Sequence, residues 1–364
     1  LLSSWVSRRN GGVFEAVVAQ ADMLRALGAV PLVLGIRDED SEADAWRLEG
    51  IESRLVDRSG PAALAFAPDL NEALGGAELD LLHLHGIWQY PSHVAGDWAD
   101  GTGKPLVISP HGMLDPWITG RNAWKKHLAR WVWERQAWRS ATAFHALTEA
   151  EAQDIGEETG GARVAVIPNP APPFGSPDDL PRMASVLYIG RIHEKKNIAA
   201  LVEGWVAAKP QLPEDATLTI AGWGDDTGVA ALEQAMRKHR EAGIEFVGTA
   251  FGSQKAALLD LARFVVLPSL SEGLPMAILE AWSAGVPSIM TRHCHLPEGF
   301  EAGAAIECGT DAGSIRDALV NALSVSEGDW QRRSAAARQL AAGPFSPGEV
   351  AGKWERLYSA LLEG

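Results

Sequence analysis

Two carboxylates frame the most informative stretch of the chain, Ser271-Glu272-Gly273-Leu274-Pro275-Met276-Ala277-Ile278-Leu279-Glu280-Ala281-Trp282. Glu272 and Glu280 stand eight apart, just after the apolar run 264–268. That spacing predicts Glu272 in a loop and Glu280 about one and a half turns into a helix. Gly273, Leu274, Pro275 and Met276 would present backbone N–H groups at the helix start, with Pro275 suited to an early helical position. A helix start is a natural seat for an anion. Carboxylates aimed at that anion would repel it, so they make better sense accepting hydrogen bonds from neutral hydroxyls on either side. Hydroxyls, anion, hydroxyls is the pattern of a nucleoside diphosphate sugar.

Cations stand in a second stretch, Gly190-Arg191-Ile192-His193-Glu194-Lys195-Lys196-Asn197, between a strand-like run and another helical segment. A helix end alone offers an anion about 0.3–2 kcal/mol. A unit-charge pair at about 4 Å contributes about 4 kcal/mol at an effective dielectric near 20. Arg191 and a lysine therefore outweigh the dipole in gripping a diphosphate, and a solvated charged turn is the plain alternative. A third stretch, Ser7-Arg8-Arg9-Asn10-Gly11-Gly12, precedes an apolar helix. Its double glycine lets backbone N–H groups approach a phosphate, or makes a simple turn.

The elements that must carry these loops are legible in apolar runs of strand length. After the expected first strand, Leu1-Leu2, they fall at 30–36, 79–85, 105–109, 142–147 and 164–168, then at 185–190, 217–221, 244–248, 264–268 and 286–290. The runs are apolar nearly throughout, as in parallel strands covered on both faces. Segments with helical spacing alternate with them, at 13–27, 197–208, 229–241 and 276–284. The expected fold is α/β, with two doubly wound Rossmann-like parallel-sheet units. Pro168-Asn169-Pro170-Ala171-Pro172-Pro173-Phe174-Gly175-Ser176-Pro177 can continue neither a helix nor a central strand and reads as the interdomain linker. The domains are then 1–172 and 178–343. Beyond the break Gly343-Pro344-Phe345-Ser346-Pro347, segment 344–364 carries a last helix, from about 348 to 362, expected to cross back to the first domain.

Length and charge bound the function. The 364 residues suit two α/β cores rather than one. A net charge of -15 argues against nucleic acid as a general partner. Cys294 and Cys308 are too few for a disulfide framework and read as reduced thiols of a cytoplasmic protein. No run reaches the ~18–20 apolar residues of a membrane span. No signal peptide is visible, although the chain starts at Leu1 without Met and a short leader can precede it. The acidic loops Asp38-Glu39-Asp40 and Asp225-Asp226 read as solvated rather than as metal sites.

Taken together, Gly11-Gly12, Pro110-His111-Gly112, Pro168-Asn169, Gly190-Arg191 with Lys196, Gly222-Trp223-Gly224 and the Glu272–Glu280 pair resemble the family-4 group of GT-B glycosyltransferases over nearly the whole chain. The resemblance implies two Rossmann-like domains facing across a cleft, an acceptor domain first and a nucleotide-sugar donor domain second. It implies that Arg191 and Lys196 bind the diphosphate, with Gly11, Gly12 and Gly190 at phosphate contacts. Glu272 would hold the donor sugar's hydroxyls, assisted by the backbone from Gly273 through Leu274 and Pro275 to Met276, and Glu280 the ribose hydroxyls. His111 would contact the donor sugar at the reacting centre, a capping or buried structural histidine being the alternative. Such enzymes retain anomeric configuration, use a UDP-sugar or GDP-sugar, and need no metal or other cofactor. Asn197 stands where the family usually has glycine, Asn169-Pro170 replaces a commoner Asn-Gly, and Trp223 takes a place often small or acidic.

The stretch from His111 to Trp117, with His85-Gly86-Ile87-Trp88 upstream, resembles the branch of bacterial exopolysaccharide and O-antigen assembly. On that resemblance His85, Asp115 and Trp117 are acceptor-site candidates, and the acceptor is a polyprenyl-diphosphate-linked saccharide. Residues 121–139 carry six cations against Glu134, a net of about +5. Trp124, Leu128, Trp131 and Trp138 make one helical stripe. This suits peripheral contact with an anionic bilayer at the inner face of the plasma membrane, or a core-facing stripe with a solvated back. The expected mechanism is front-face displacement, with the departing diphosphate stabilised electrostatically and taking the acceptor proton. Domain closure would exclude water. A nucleotide-sugar epimerase is the alternative among enzymes, and a two-lobed sugar-binding protein the alternative outside them.

Overall fold

The computed structural model describes residues 1–115, 134–174 and 182–363. They form two compact units, Leu1–Pro168 with Val350–Gly364, and Asn169–Glu349.

The first unit holds a parallel sheet in the order β3-β2-β1-β4-β5-β6-β7. Its strands are β1 (Leu2–Trp5), β2 (Leu32–Ile36), β3 (Glu52–Val56), β4 (Leu82–His85), β5 (Leu106–Ser109), β6 (Ala143–Ala146) and β7 (Val164–Val166). Alternate side chains of a strand serve opposite faces. Val33 packs with Phe14, Val17 and Ala21 of the helix Gly12–Ala26. Leu34 joins Tyr90, Val94 and Trp98 of the helix Tyr90–Thr102. Next in the strand, Gly35 has no room for a side chain, since a Cβ would lie 2.4 Å from Val6 Cγ2 and 2.6 Å from the Ser3 carbonyl oxygen. The last helix, Pro347–Leu362, lays Val350, Trp354, Leu357 and Leu361 on Val107, Ala143 and Ile167 of this unit.

The second unit holds a parallel sheet in the order β10-β9-β8-β11-β12-β13. Its strands are β8 (Ser185–Ile189), β9 (Thr217–Ala221), β10 (Ile244–Gly248), β11 (Phe264–Leu267), β12 (Ser288–Met290) and β13 (Ala305–Glu307). Trp205 and Trp282 are wholly buried, and each indole N–H finds an acceptor, the Ala242 carbonyl at 2.7 Å and Ser288 Oγ at 3.2 Å. These two tryptophans are therefore core material with a satisfied polar tip.

In each sheet the strand order reverses once, between β1 and β4 and between β8 and β11. Ligands of open α/β sheets bind outside the carboxyl ends of the strands at such a switch point. The stretches singled out in the sequence follow β1, β8 and β11. Two strands, β3 and β13, were not expected. They lie at sheet edges, where β3 is partly exposed and β13 is three residues long.

Candidate functional site

In the second unit, β8 ends at Ile189 and β11 at Leu267, side by side in the sheet. The loop after β8 runs into a 3-10 turn, Glu194–Lys196, and then into the helix Ile198–Ala208. The loop after β11 runs to the helix Met276–Ser283. Adjacent strands thus bring two loops together that lie far apart in sequence. Lys196 Nζ sits 2.5 Å from Glu272 Oε1, which also accepts the Ser269 hydroxyl at 2.6 Å. The side chains are 21% and 9% exposed, so the pair is largely shielded from water.

The backbone fixes this meeting. Leu270 N–H donates to the Lys195 carbonyl at 2.8 Å, and Glu272 N–H to the His293 carbonyl at 3.1 Å. Asn197 adopts a left-handed conformation (φ 58°), and its amide donates to the carbonyls of Pro268 at 3.1 Å and Thr310 at 2.7 Å. This accounts for asparagine where glycine is usual. The turn requires positive φ, asparagine tolerates it better than most residues, and its side chain ties the turn to the end of β11.

Glu280, the fifth residue of the helix Met276–Ser283, pairs with Lys255 Nζ at 2.5 Å. Pro275 lies immediately before that helix in an extended conformation (φ -76°) rather than inside its first turn. Gly273 and Met276 are partly exposed and Leu274 is buried. Arg191 is exposed, and its carbonyl is gripped by the buried Tyr188 hydroxyl at 2.8 Å. Burial, and then the charge of Glu272, push that phenol well above its ordinary value. The same two causes, burial foremost, raise the Cys294 thiol, leaving it an inert core group.

Gly190, Gly222 and Gly224 allow a close backbone approach. A Cβ on Gly222 would lie 1.9 Å from the Gly190 carbonyl oxygen, and one on Gly224 would lie 2.5 Å from that of Ile192. Ile192 N–H donates to the Trp223 carbonyl at 2.6 Å. The Trp223 side chain stays half exposed beside Phe251, ring centroids 5.9 Å apart.

In the first unit, Gly11 has φ 57° and Gly12 opens the helix Gly12–Ala26, with open space where a Cβ would stand on either. Acidic residues brace the loop before them. Ser7 donates to Asp38 at 2.7 Å, Arg9 pairs with Glu39 at 2.8 Å, and the Arg8 guanidinium and backbone N–H both engage buried Asp44. Asp38 and Glu39 are thus tied to this loop. Asp225 caps the helix Asp226–Lys238. Among the described residues no three metal-ligating side chains converge.

His111 stands two residues beyond β5 with φ 55°, followed by Gly112 at φ 73°. Glu151 holds this kink by accepting the N–H groups of Gly112 at 2.5 Å and Leu147 at 2.8 Å. Burial raises its carboxyl above the usual range. His85 closes β4 and is buried, with its Nδ1 3.0 Å from His111 Nε2. Burial, followed by the charge of His145, lowers His111 to about 3, so it is neutral at ordinary pH. Asp115 ends the described part of this loop. Beside it Asp154 is raised to about 6, by burial first and the Asp115 charge second. Trp117 and most of 121–139, with Trp124, Leu128 and Trp131, lie outside the described residues. Trp138 is buried in the core.

Sequence reasoning missed Ser269, Lys255, Glu151 and the partnership of His85 with His111. His83 and His85 sit two apart on β4, hence on one face, and they stack with centroids 4.2 Å apart.

Two Rossmann-like parallel sheets, each with glycine-rich and charged loops at its switch point, define a GT-B architecture. Residues 184–325 match the family described as "Glycosyl transferases group 1", and residues 11–170 the "Glycosyl transferase 4-like domain". The chain belongs to this glycosyltransferase family and is an enzyme of that class. It is 28% identical over 303 residues to a glycogen synthase of Mycobacterium tuberculosis, covering 78% of this chain and 70% of that one. It is 26% identical over 297 residues to the GDP-mannose:cellobiosyl-diphosphopolyprenol alpha-mannosyltransferase of Xanthomonas oryzae pv. oryzae, covering 77% and 75%. The crystal structure of Anabaena Alr3699/HepE, solved with UDP and glucose, shares the fold at a TM-score of 0.77, 17% identity and 99% coverage of both chains.

Proposed function

We propose that this glycosyltransferase moves a sugar from a nucleoside diphosphate sugar to an acceptor hydroxyl, with retained configuration and without a metal. One observation carries the reading: Lys196 Nζ meets Glu272 Oε1 at 2.5 Å, beside the start of the helix Met276–Ser283. A cation, a carboxylate and a helix N-terminus converge where an anion flanked by hydroxyls is best recognised. Arg191, Lys196 and the N–H groups from Gly273 to Met276 take the diphosphate, with Gly190 permitting close approach. Glu272 takes the sugar hydroxyls and Glu280 those of the ribose. Both contacts of Glu272 use Oε1. When a diphosphate draws Lys196 away, the carboxylate becomes available to hydroxyls.

The leaving diphosphate accepts the acceptor's proton while fixed charges stabilise its departure, which is preorganised electrostatic catalysis. The first unit contributes His111 as a neutral hydrogen-bonding group toward the sugar. Gly11 and Gly12 offer a further phosphate contact there, and Asp115 and Trp117 are acceptor-binding candidates. The similarity to an enzyme named for a diphosphopolyprenol acceptor supports a polyprenyl-diphosphate-linked saccharide in bacterial surface polysaccharide synthesis. The basic, Trp-bearing segment 121–139 supports work at the inner face of the plasma membrane. Among the described residues no helix is long and apolar enough to cross a bilayer.

Calorimetric titration with UDP, GDP, ADP and TDP tests the reading, with one nucleotide expected to bind far more tightly than the rest. With that nucleotide's sugars, Lys196→Ala and Glu272→Ala are each expected to lower turnover more than ~10-fold in a folded chain. Near-wild-type turnover in both variants, or failure of all four nucleotides to bind, overturns the site.

A further inference from the structure

Unit 1 contains a run of imidazoles whose proton positions follow from one fixed acceptor. His145 Nε2 lies 2.7 Å from the Ile167 carbonyl and must donate to it, so His145 Nδ1 accepts from the Ser109 hydroxyl at 2.6 Å. Ser109 Oγ in turn receives the proton of His83 Nε2 at 2.6 Å. His83 Nδ1 is left to accept from the Tyr358 hydroxyl at 2.7 Å and the Gln20 amide at 3.1 Å. Each nitrogen in that chain has a partner of the complementary kind.

His85 is different. It stacks between His83 and His111, with centroids 4.2 and 5.2 Å away and interplanar angles of 28° and 19°. Its Nδ1 bonds His111 Nε2, while its Nε2 is buried with no hydrogen-bond partner among the described residues. A buried orphan N–H costs more than an under-used lone pair. The proton of His85 therefore belongs on Nδ1, where it is donated to His111 Nε2. A neutral imidazole carries one proton, so that of His111 is on Nδ1. His111 Nδ1 makes no hydrogen bond among the described residues and is not among the buried unpartnered atoms.

We infer that His85 is a positioning residue that fixes the ring of His111 and presents its Nδ1–H as a neutral hydrogen-bond donor to an oxygen of the transferred sugar. The inference rests on the proposed reading of His111 as a group that meets the sugar. Glu151 complements it by holding the backbone kink through Gly112 N–H. His85 itself is 1% exposed, which suits positioning from beneath better than direct contact with an acceptor.

Two readouts separate this inference from the reading beneath it. In the full chain labelled with 15N-histidine, long-range proton–nitrogen correlation spectra, assigned with His111→Gln, report which nitrogen of His111 carries the proton. Nδ1–H is expected in the wild type and a mixture of tautomers in His85→Phe. Nε2–H in the wild type overturns the inference whatever the activity. Release of nucleoside diphosphate from UDP-glucose and GDP-mannose then tests the consequence. His85→Phe and His85→Gln are expected to lower kcat roughly 10–100-fold, with KM for the donor nearly constant. His85→Asn, whose amide reaches the place of Nδ1, should recover most of that loss, whereas a merely space-filling role would rank Phe above Asn. Wild-type kcat in folded His85→Phe overturns the inference. Wild-type kcat in His111→Gln removes the reading of His111 instead, and the spectra still decide the tautomer.

Discussion

Asn197 holds three duties at one position. Its φ of 58° turns the chain from the Lys196 loop into the helix Ile198–Ala208, and its amide ties that turn to the carbonyls of Pro268 and Thr310. Glycine would keep the turn and lose both bonds, while alanine would lose both bonds and strain the backbone. The strain costs about 1–2 kcal/mol and each lost bond about 1 kcal/mol. Asn197→Ala is therefore expected to destabilise the second unit by about 3 kcal/mol and Asn197→Gly by less, read from urea unfolding midpoints. Equal midpoints for the two variants would mean that the left-handed turn is not what selects asparagine. Nucleotide affinity should fall in the same order, because Lys196 precedes the turn and moves with it.

At the level of elements, the loops after β8 and β9 lie backbone against backbone. A methyl on Gly222 would sit 1.9 Å from the Gly190 carbonyl oxygen, a clash that only separation of the two loops relieves. Gly222→Ala is accordingly expected to lower the melting temperature and to weaken nucleotide binding by more than ~10-fold, through displacement of the Gly190-Arg191 loop. Unchanged affinity by calorimetry would show that the loop after β8 does not hold the nucleotide. The sequence announced these loops because glycines and charges sit directly after apolar runs, and apolar runs mark strands buried on both faces. It announced β3 poorly, because Glu52 and Ser53 are exposed at a sheet edge and break the pattern. Arg191, Glu272 and Glu280 stood out as candidates from residue type and spacing, and Lys196 from the family resemblance. Lys255 and Ser269 were not, because their roles depend on which strands are neighbours, and only the strand order supplies that. His85 was noticed for its type but not for its partner, which comes from β4 lying beside β5.

For the molecule as a whole, the imidazole chain of the first unit makes stability depend on pH. His145 is 3% exposed, and burial lowers it from 6.5 to about 4. His83 and His85 are likewise lowered, by burial first and then by neighbouring imidazoles. The groups packed around them, Ser109, Gln20, Tyr358 and Trp354, carry no charge at neutral pH and offer no acid to offset a new cation. Below pH 6.5 the unfolded chain binds a proton at each of these histidines that the folded chain refuses, down to about 4 for His145, so the stability they control is complete above 6.5 and drains away as pH falls. Each unit of displacement is worth about 1.4 kcal/mol, so His145 alone removes about 2 kcal/mol between pH 6.5 and 5. Asp154, raised to about 6, acts in the opposite sense over part of this window and returns a smaller amount, being partly exposed. Urea unfolding at pH 7.5 and pH 5 should show a clear loss of midpoint, and His145→Gln, which keeps a donor toward the Ile167 carbonyl, should make that loss smaller. The helix Pro347–Leu362 reports the same event, because Tyr358 donates to His83 and Trp354 lies 4.5 Å from the His145 ring. Protonating His83 at Nδ1 sets two donors against each other at that contact, so the C-terminal helix should lose hydrogen-exchange protection on acidification before the second unit does. A pH-independent midpoint, or earlier loss in the second unit, would place the acid-labile groups elsewhere in the chain.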